Sequence, residues 1–338
     1  MSFSRTLEPG QSCRILVADV TTGTSTVIFE SRTTLFEAPN WTHNNALILN
    51  GDGVLWRLEL NPDTDTATAT ASNADTADEV DAAPQRIEIA NVPELNNDHV
   101  LAPDDETIYV SANDWHIYAA PVAGGTARRV TADNSGRMHF LHGVSPDGST
   151  LAYVGVESDG GATWVSANIY TRALESAEVS SDDAGPGDTP ATGDIQLTFG
   201  TAPADGSEYS PDGTWIYLNT EQFSDTPGHA QIARVPSIGG ELEQLSFDER
   251  VNWFPHLSPD GRSAVYLSFP PGTVGHPANQ SVELRMVDVA DWSHPTVLAE
   301  LFGGQGTINV NSWSPDGRRF AYVDYPIAPE SGASATPG

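Results

Sequence analysis

Ser145-Pro146-Asp147-Gly148-Ser149-Thr150-Leu151-Ala152-Tyr153-Val154 decides the fold, because its opening tetrapeptide returns at Ser210-Pro211-Asp212-Gly213, Ser258-Pro259-Asp260-Gly261 and Ser314-Pro315-Asp316-Gly317. Ala102-Pro103-Asp104-Asp105 is a degenerate copy, and Thr42-His43-Asn44-Asn45 stands where another is due. Proline presets the first turn position, aspartate tolerates the second and glycine accepts the left-handed one, so each copy reverses the chain within a hairpin. Runs such as Trp215-Ile216-Tyr217-Leu218, Ala264-Val265-Tyr266-Leu267 and Phe320-Ala321-Tyr322-Val323 follow. Their β-branched and aromatic content reads as strand. A third strand comes next, as at Trp115-His116-Ile117-Tyr118-Ala119, and Gly124-Gly125 or Gly239-Gly240 marks the turn into a fourth.

The copies begin at residues 42, 102, 145, 210, 258 and 314. A four-stranded propeller blade takes about 40–50 residues, so the spacing fits six blades with loops of varied length. The last copy holds only two strands, and Arg14–Ala18 and Ser25–Phe29 supply the two it lacks. The sequence therefore predicts an all-β, six-bladed β-propeller of four-stranded blades, closed by its N-terminal strands. Closure hides sheet edges that would otherwise pair with other chains. A single domain is expected over residues 1–330, with acidic insertions at 61–83 and 175–194 and a disordered tail at 331–338. The insertions are too poor in apolar residues to order themselves.

The chain has 338 residues, 15 basic and 46 acidic, for a net charge of −31; every basic residue other than histidine is arginine. That balance argues against nucleic acid, whose binding neutralises phosphates with cations, and against anionic membranes. No run reaches the ~18 apolar residues of a spanning helix. Cys13 is the sole cysteine, which excludes an internal disulfide and a Cys-rich metal site. Residues 1–20 lack a basic stretch leading into an apolar one, which predicts a cytoplasmic location.

The tetrapeptide repeat resembles that of the TolB family of six-bladed propellers over essentially the whole chain. More specific likeness, to a TolB-like subgroup, lies in Glu37-Ala38-Pro39-Asn40-Trp41, Asn96-Asn97-Asp98-His99, Asn252-Trp253-Phe254-Pro255-His256, Gly275-His276-Pro277-Ala278-Asn279 and Phe302-Gly303-Gly304-Gln305-Gly306-Thr307-Ile308-Asn309-Val310. The resemblance implies the propeller fold. TolB itself is a periplasmic protein-binding component of an envelope complex. Because this chain shows neither a signal peptide nor TolB's helical N-terminal domain, that role is not carried over with the fold.

In such a ring, residues two to five before each turn gather at one mouth of the central channel. They include Glu37, Asn97, Asp98, His99, His142, Asp205, Glu208, Trp253, His256 and Asn309. The residues just before the turns, Trp41, Leu101, Val144, Tyr209, Leu257 and Trp313, are apolar and read as packing between blades. His99, His142 and His256 with Glu208 form a candidate metal set, suited to manganese, zinc, iron, nickel or calcium. The arrangement is similar to that of oligogalacturonate lyase, a related propeller that holds manganese with three histidines and a glutamine, here matched by Gln305. Glu37, Asp98, Glu208 and His256 are candidates for acid–base catalysis, which glycosidic cleavage requires of a carboxyl pair. Asn97, Trp253, His276, Gln305 and Asn309 would hold substrate. Two functions stay open: a carbohydrate-active lyase or glycoside hydrolase on an oligosaccharide or other small polar ligand, and a non-catalytic TolB-like binding propeller. The acidic charge disfavours a polyanionic substrate. No Gly-x-Ser-x-Gly elbow supports a serine nucleophile.

Overall fold

A computed structural model describes residues 5–60, 83–132, 136–159, 164–174 and 193–328. Five antiparallel sheets of four strands run outward in chain order. Blade 1 comprises Phe36–Trp41, Ala46–Gly51, Val54–Glu59 and Gln85–Ile87; blade 2 comprises Leu95–Leu101, Thr107–Ala112, Ile117–Pro121 and Arg128–Arg129. Blade 3 is built from Arg137–Val144, Thr150–Ser158, Trp164–Ala173 and Ile195–Gln196, and blade 4 from Ala204–Tyr209, Trp215–Thr220, Gln231–Pro236 and Glu243–Gln244. Blade 5 holds Val251–Leu257, Ser263–Phe269, Gln280–Asp288 and Asp291–Gly303.

The sixth blade draws on both ends of the chain, as the sequence predicts. Arg319–Asp324 pairs with Cys13–Asp19, which pairs with Thr24–Ser31. Arg14 reinforces that seam with a fork on Asp324, Nε and Nη2 donating at 2.9 and 2.5 Å. The innermost place is filled by an irregular segment rather than a regular strand, held by a Trp313–Phe320 bridge and by Ala321 N–H donating to Ser312 at 3.1 Å. Its polar side chains take the backbone partners that a ladder would use. Asn311 accepts from Trp313 N–H at 3.0 Å, and Asn309 from Gly306 N–H at 2.8 Å.

Blades are apolar on both faces because each is sandwiched between two others. Six separate apolar clusters fill the six interfaces. Leu47 and Leu49 pack toward blade 6, whereas Ile48 between them packs toward blade 2, the alternation a pleated strand imposes. The residues before the turns distribute one to each interface, from Trp41 between blades 6 and 1 to Trp313 between blades 5 and 6.

The turns also touch one another. A Cβ added at Gly148 would lie 3.7 Å from Pro103, at Gly213 3.5 Å from Pro146, at Gly261 3.7 Å from Pro211, and at Gly317 3.7 Å from Pro259. Each glycine thus nests on the preceding blade's proline. The first joint substitutes hydrogen bonds: His43 N–H and Asn44 Nδ2 donate to the Asp105 carboxylate at 3.3 and 3.5 Å. The two atypical tetrapeptides are therefore complementary to each other. Serine has a role beyond turn propensity, since Ser210 Oγ donates to Asp212 at 2.6 Å while accepting from Trp215 N–H at 3.0 Å.

The acidic insertions and the tail fall almost wholly outside the described residues. Asp194, at the edge of the second insertion as read from sequence, belongs to blade 3, where Arg172 Nε donates to it at 2.9 Å. Gly213, at φ 72°, is expected to tolerate alanine poorly. Gly213→Ala should cost about 1–2 kcal/mol, read by chemical denaturation, from left-handed backbone strain.

Candidate functional site at the channel mouth

The inner strands of blades 1 to 5 all slip register against their neighbours, between Glu37 and Asn40, Leu95 and His99, Leu141 and Gly143, Asp205 and Glu208, and Trp253 and His256. Ala38, Gly206 and Phe254 take left-handed φ values of 53°, 68° and 55° there. A bulge re-aims the side chains around it. As a result the gathered polar residues divide into two layers.

The layer nearer the turns is structural. Glu208 Oε2 and His256 Nδ1 are 2.6 Å apart. Glu208 Oε1 accepts from Leu257 N–H at 2.8 Å and from Asn311 Nδ2 at 2.7 Å, and the His256 Nε2 faces the Ile308 carbonyl. These bonds tie blades 4, 5 and 6 together. Asn40 does the same in blade 1, accepting from Leu101 N–H at 2.8 Å and donating to the Asn311 carbonyl at 2.6 Å. The polar atoms of Glu208 and His256, for which the sequence suggests catalytic and metal-binding roles, thus all have partners within the ring.

The layer at the mouth centres on His142. Its Nε2 lies 3.0 Å from Asp205 Oδ1, and its Nδ1 lies 3.3 Å from the Asn309 carbonyl. Both partners only accept, so the ring carries two protons. Burial by itself pushes the His142 pKa down, but Asp98 and Asp205 outweigh it and hold the group up at about 9. Asp98 accepts from Asn96 Nδ2 at 3.2 Å. Burial raises its carboxyl to about 6, against the pull of His142 and with help from the Asp205 charge. For Asp205, burial also pushes upward, yet the His142 hydrogen bond and charge leave it below the usual carboxylate range. The Asp205 side chain is 22% exposed against 5% for His142, so it is the member nearest solvent.

His276 reaches the same layer from the loop after Phe269, its ring 4.3 Å from Trp253 and 5.1 Å from Phe254. The Nδ1–H donates to the Gln305 side-chain oxygen. Burial lowers its pKa, so the neutral ring keeps an acceptor at Nε2. Trp253 is buried, and its indole N–H has no protein partner among the described residues. Asn97 is buried on the inner strand of blade 2. Glu37 is buried and paired with Arg5 at 2.7 Å, a partner that no motif in the sequence signals.

The expected metal set is not assembled. His99 is turned toward blade 1, with Nε2 3.4 Å from the Ile48 carbonyl, and burial lowers its pKa to about 4. His142 is engaged by Asp205 and the Asn309 carbonyl, and both nitrogens of His256 face oxygen acceptors. Among the described residues, no three His, Cys, Asp or Glu side chains are placed to share a metal ion. These donors do not fit the manganese site that the lyase resemblance implied.

No family model matches the chain. It is 32% identical over 324 residues to the uncharacterized protein Atu1656 of Agrobacterium fabrum, covering 94% of each chain. A solved structure of a TolB candidate from Agrobacterium tumefaciens superposes with a TM-score of 0.76 at 31% identity, covering 94% of this chain and 99% of the other. The chain belongs to the TolB-like propeller family. An oligogalacturonate lyase solved in complex with manganese matches this TolB-like chain with a TM-score of 0.53 at 12% identity, over 83% and 68% of the two chains, a likeness of fold alone.

Two outcomes follow for this TolB-like ring. Glu208→Ala, which leaves His256 Nδ1 and the Leu257 N–H without their partner, should destabilise the protein by about 1–3 kcal/mol in a denaturant titration. Because the His142 pKa is raised in the folded state, its stabilisation is complete below the ordinary histidine value of about 6.5 and is lost as pH rises through about 9. The melting temperature should therefore fall between pH 7 and 9.5, and His142→Gln should flatten that slope. Asp98 changes charge below this window.

Proposed function

We propose that this TolB-like propeller is a carbohydrate-active enzyme that works by proton transfer at the channel mouth. One observation carries the reading: the His142 imidazole is clamped by Asp205 at 3.0 Å while a second buried carboxyl, Asp98, acts on it from blade 2. Cleavage of a glycosidic bond needs one carboxyl that is protonated and one that is ionised. Asp98, raised to about 6, is suited to be the acid, and Asp205, held ionised, the base. The His142 imidazolium would neutralise charge that develops on substrate oxygen. Trp253 supplies a buried aromatic wall beside His276, whose Nε2 would accept from a sugar hydroxyl. Elimination and hydrolysis both remain within this chemistry, on a neutral or singly charged oligosaccharide.

A second reading, a non-catalytic TolB-like binding module, is favoured by the 31% identity with the TolB candidate. Turnover separates the two. A panel of oligosaccharides assayed for new reducing ends and for the ultraviolet absorbance of unsaturated products should show activity that falls as pH rises above about 6. Asp98→Asn and Asp205→Asn should each lower it about 10²–10⁴-fold when assayed well below their melting temperatures, which should themselves fall because each variant removes a partner of the buried His142 ring. Absence of turnover across the panel, with ligand affinity unchanged in Asp205→Asn, would favour the binding module.

A further inference from the structure

The geometry points to a second binding site at the mouth, a socket for a guanidinium group that Arg5 now fills from within the chain. Arg5 Nη1 donates to Glu37 Oε1 at 2.7 Å and to the Gln305 carbonyl, and its guanidinium lies 4.9 Å from the centre of the Tyr325 ring. The walls belong to the buried part of the ring. Glu37 is on the inner strand of blade 1, and Tyr325 is fully buried, its hydroxyl donating to the Phe36 carbonyl at 2.9 Å. Gly306 forms the floor: a Cβ there would lie 2.4 Å from Glu37 Oε1, 2.6 Å from the Tyr325 hydroxyl and 2.9 Å from Arg5 Nη1. A carboxylate, a carbonyl and an aromatic face together suit a planar cation with several N–H donors better than any other side-chain chemistry.

The occupant differs in kind from its socket. Arg5 precedes the first strand and lies outside every blade. The next anchors along the chain are Leu7, partly buried against the apolar cluster between blades 6 and 1, and Gln11, whose Nε2 donates to Asn279 at 2.9 Å and to the Tyr325 carbonyl at 3.0 Å. Arg5 is thus a ligand on a short tether, present at an effective concentration of about millimolar. Burial pushes the Glu37 carboxyl up against the pull of Arg5, so without a cation it would take up a proton, and a guanidinium in the socket is what favours the ionised form. Gln305 connects the socket to the rest of the mouth, since its carbonyl accepts from Arg5 and its side chain from His276. An alkylguanidinium ligand, as a free small molecule or as an arginine of another chain, would displace Arg5 and take its bonds. This site is a matter of binding and stands whether or not the mouth catalyses.

Titration calorimetry with agmatine, and in parallel with the tripeptide Gly-Arg-Gly, tests the assignment on the full chain. Arg5→Ala is expected to bind at least one of them, and the wild type about tenfold or more weakly, because the tethered side chain competes. Adding Glu37→Gln to Arg5→Ala should abolish the binding. Agmatine alone binding would identify a free ligand; the tripeptide binding as well would identify an arginine in an extended chain. Arg5→Lys, which keeps a cation in place, covers the case in which alanine unfolds the ring and should bind more tightly than wild type. The inference is overturned if neither probe binds any Arg5 variant, or if binding survives Glu37→Gln.

Discussion

Every blade has two apolar faces and can satisfy them only by standing between two other blades. That requirement dictates a closed ring, and closure in turn dictates that the last sheet be assembled from the two ends of the chain. The Arg14 fork on Asp324 and the antiparallel pairing of Cys13–Asp19 with Arg319–Asp324 are its local expression. Packing between sheets therefore sets the architecture, and the tetrapeptide turns space the sheets around the axis.

A ring of this kind leaves a polar channel, and the chain resolves it in two ways. Near the turns, Asn40, Glu208, His256 and Asn311 bond to backbone across neighbouring blades, so a buried polar belt holds the interior together. Near the mouth the bulges point Asp98, His142 and Asp205 at one another instead. Buried charge is tolerated there because imidazolium and carboxylates offset each other's desolvation. The Gly-rich loop joins these regions: Ile308 meets His256, Asn309 meets His142, and Gln305 meets His276 and Arg5.

The fold was readable because its signals are local and repeated. Pro211, Asp212 and Gly213 fix a turn whatever lies around them, and Tyr209 is apolar for the same reason as its five counterparts. The mouth was readable only in part. Counting back from a turn locates Asp205, Trp253 and Asn309 at the right end of the channel. It cannot tell that His256 faces Glu208 while His142 faces Asp205, because a left-handed residue such as Phe254 turns the strand between them. The direction of His99 was hidden for a related reason, since whether it points at the axis or at Ile48 depends on a bulge with no fixed residue signature. Arg5 lay beyond reach altogether, being fixed by a contact to a residue 32 positions further along the chain with no pattern around it.

The mixed origin of the sixth blade bears on how the chain is made. Emerging from the ribosome N-terminus first, Cys13–Asp19 has Thr24–Ser31 on one side at once but no neighbour on its other edge until residues near 324 have been synthesised. Five sheets can assemble in order while that edge waits. The nascent protein therefore carries an open strand until Arg319–Asp324 has been made, a hazard for edge-to-edge association. Slow non-local pairing makes that latch the natural last event in folding.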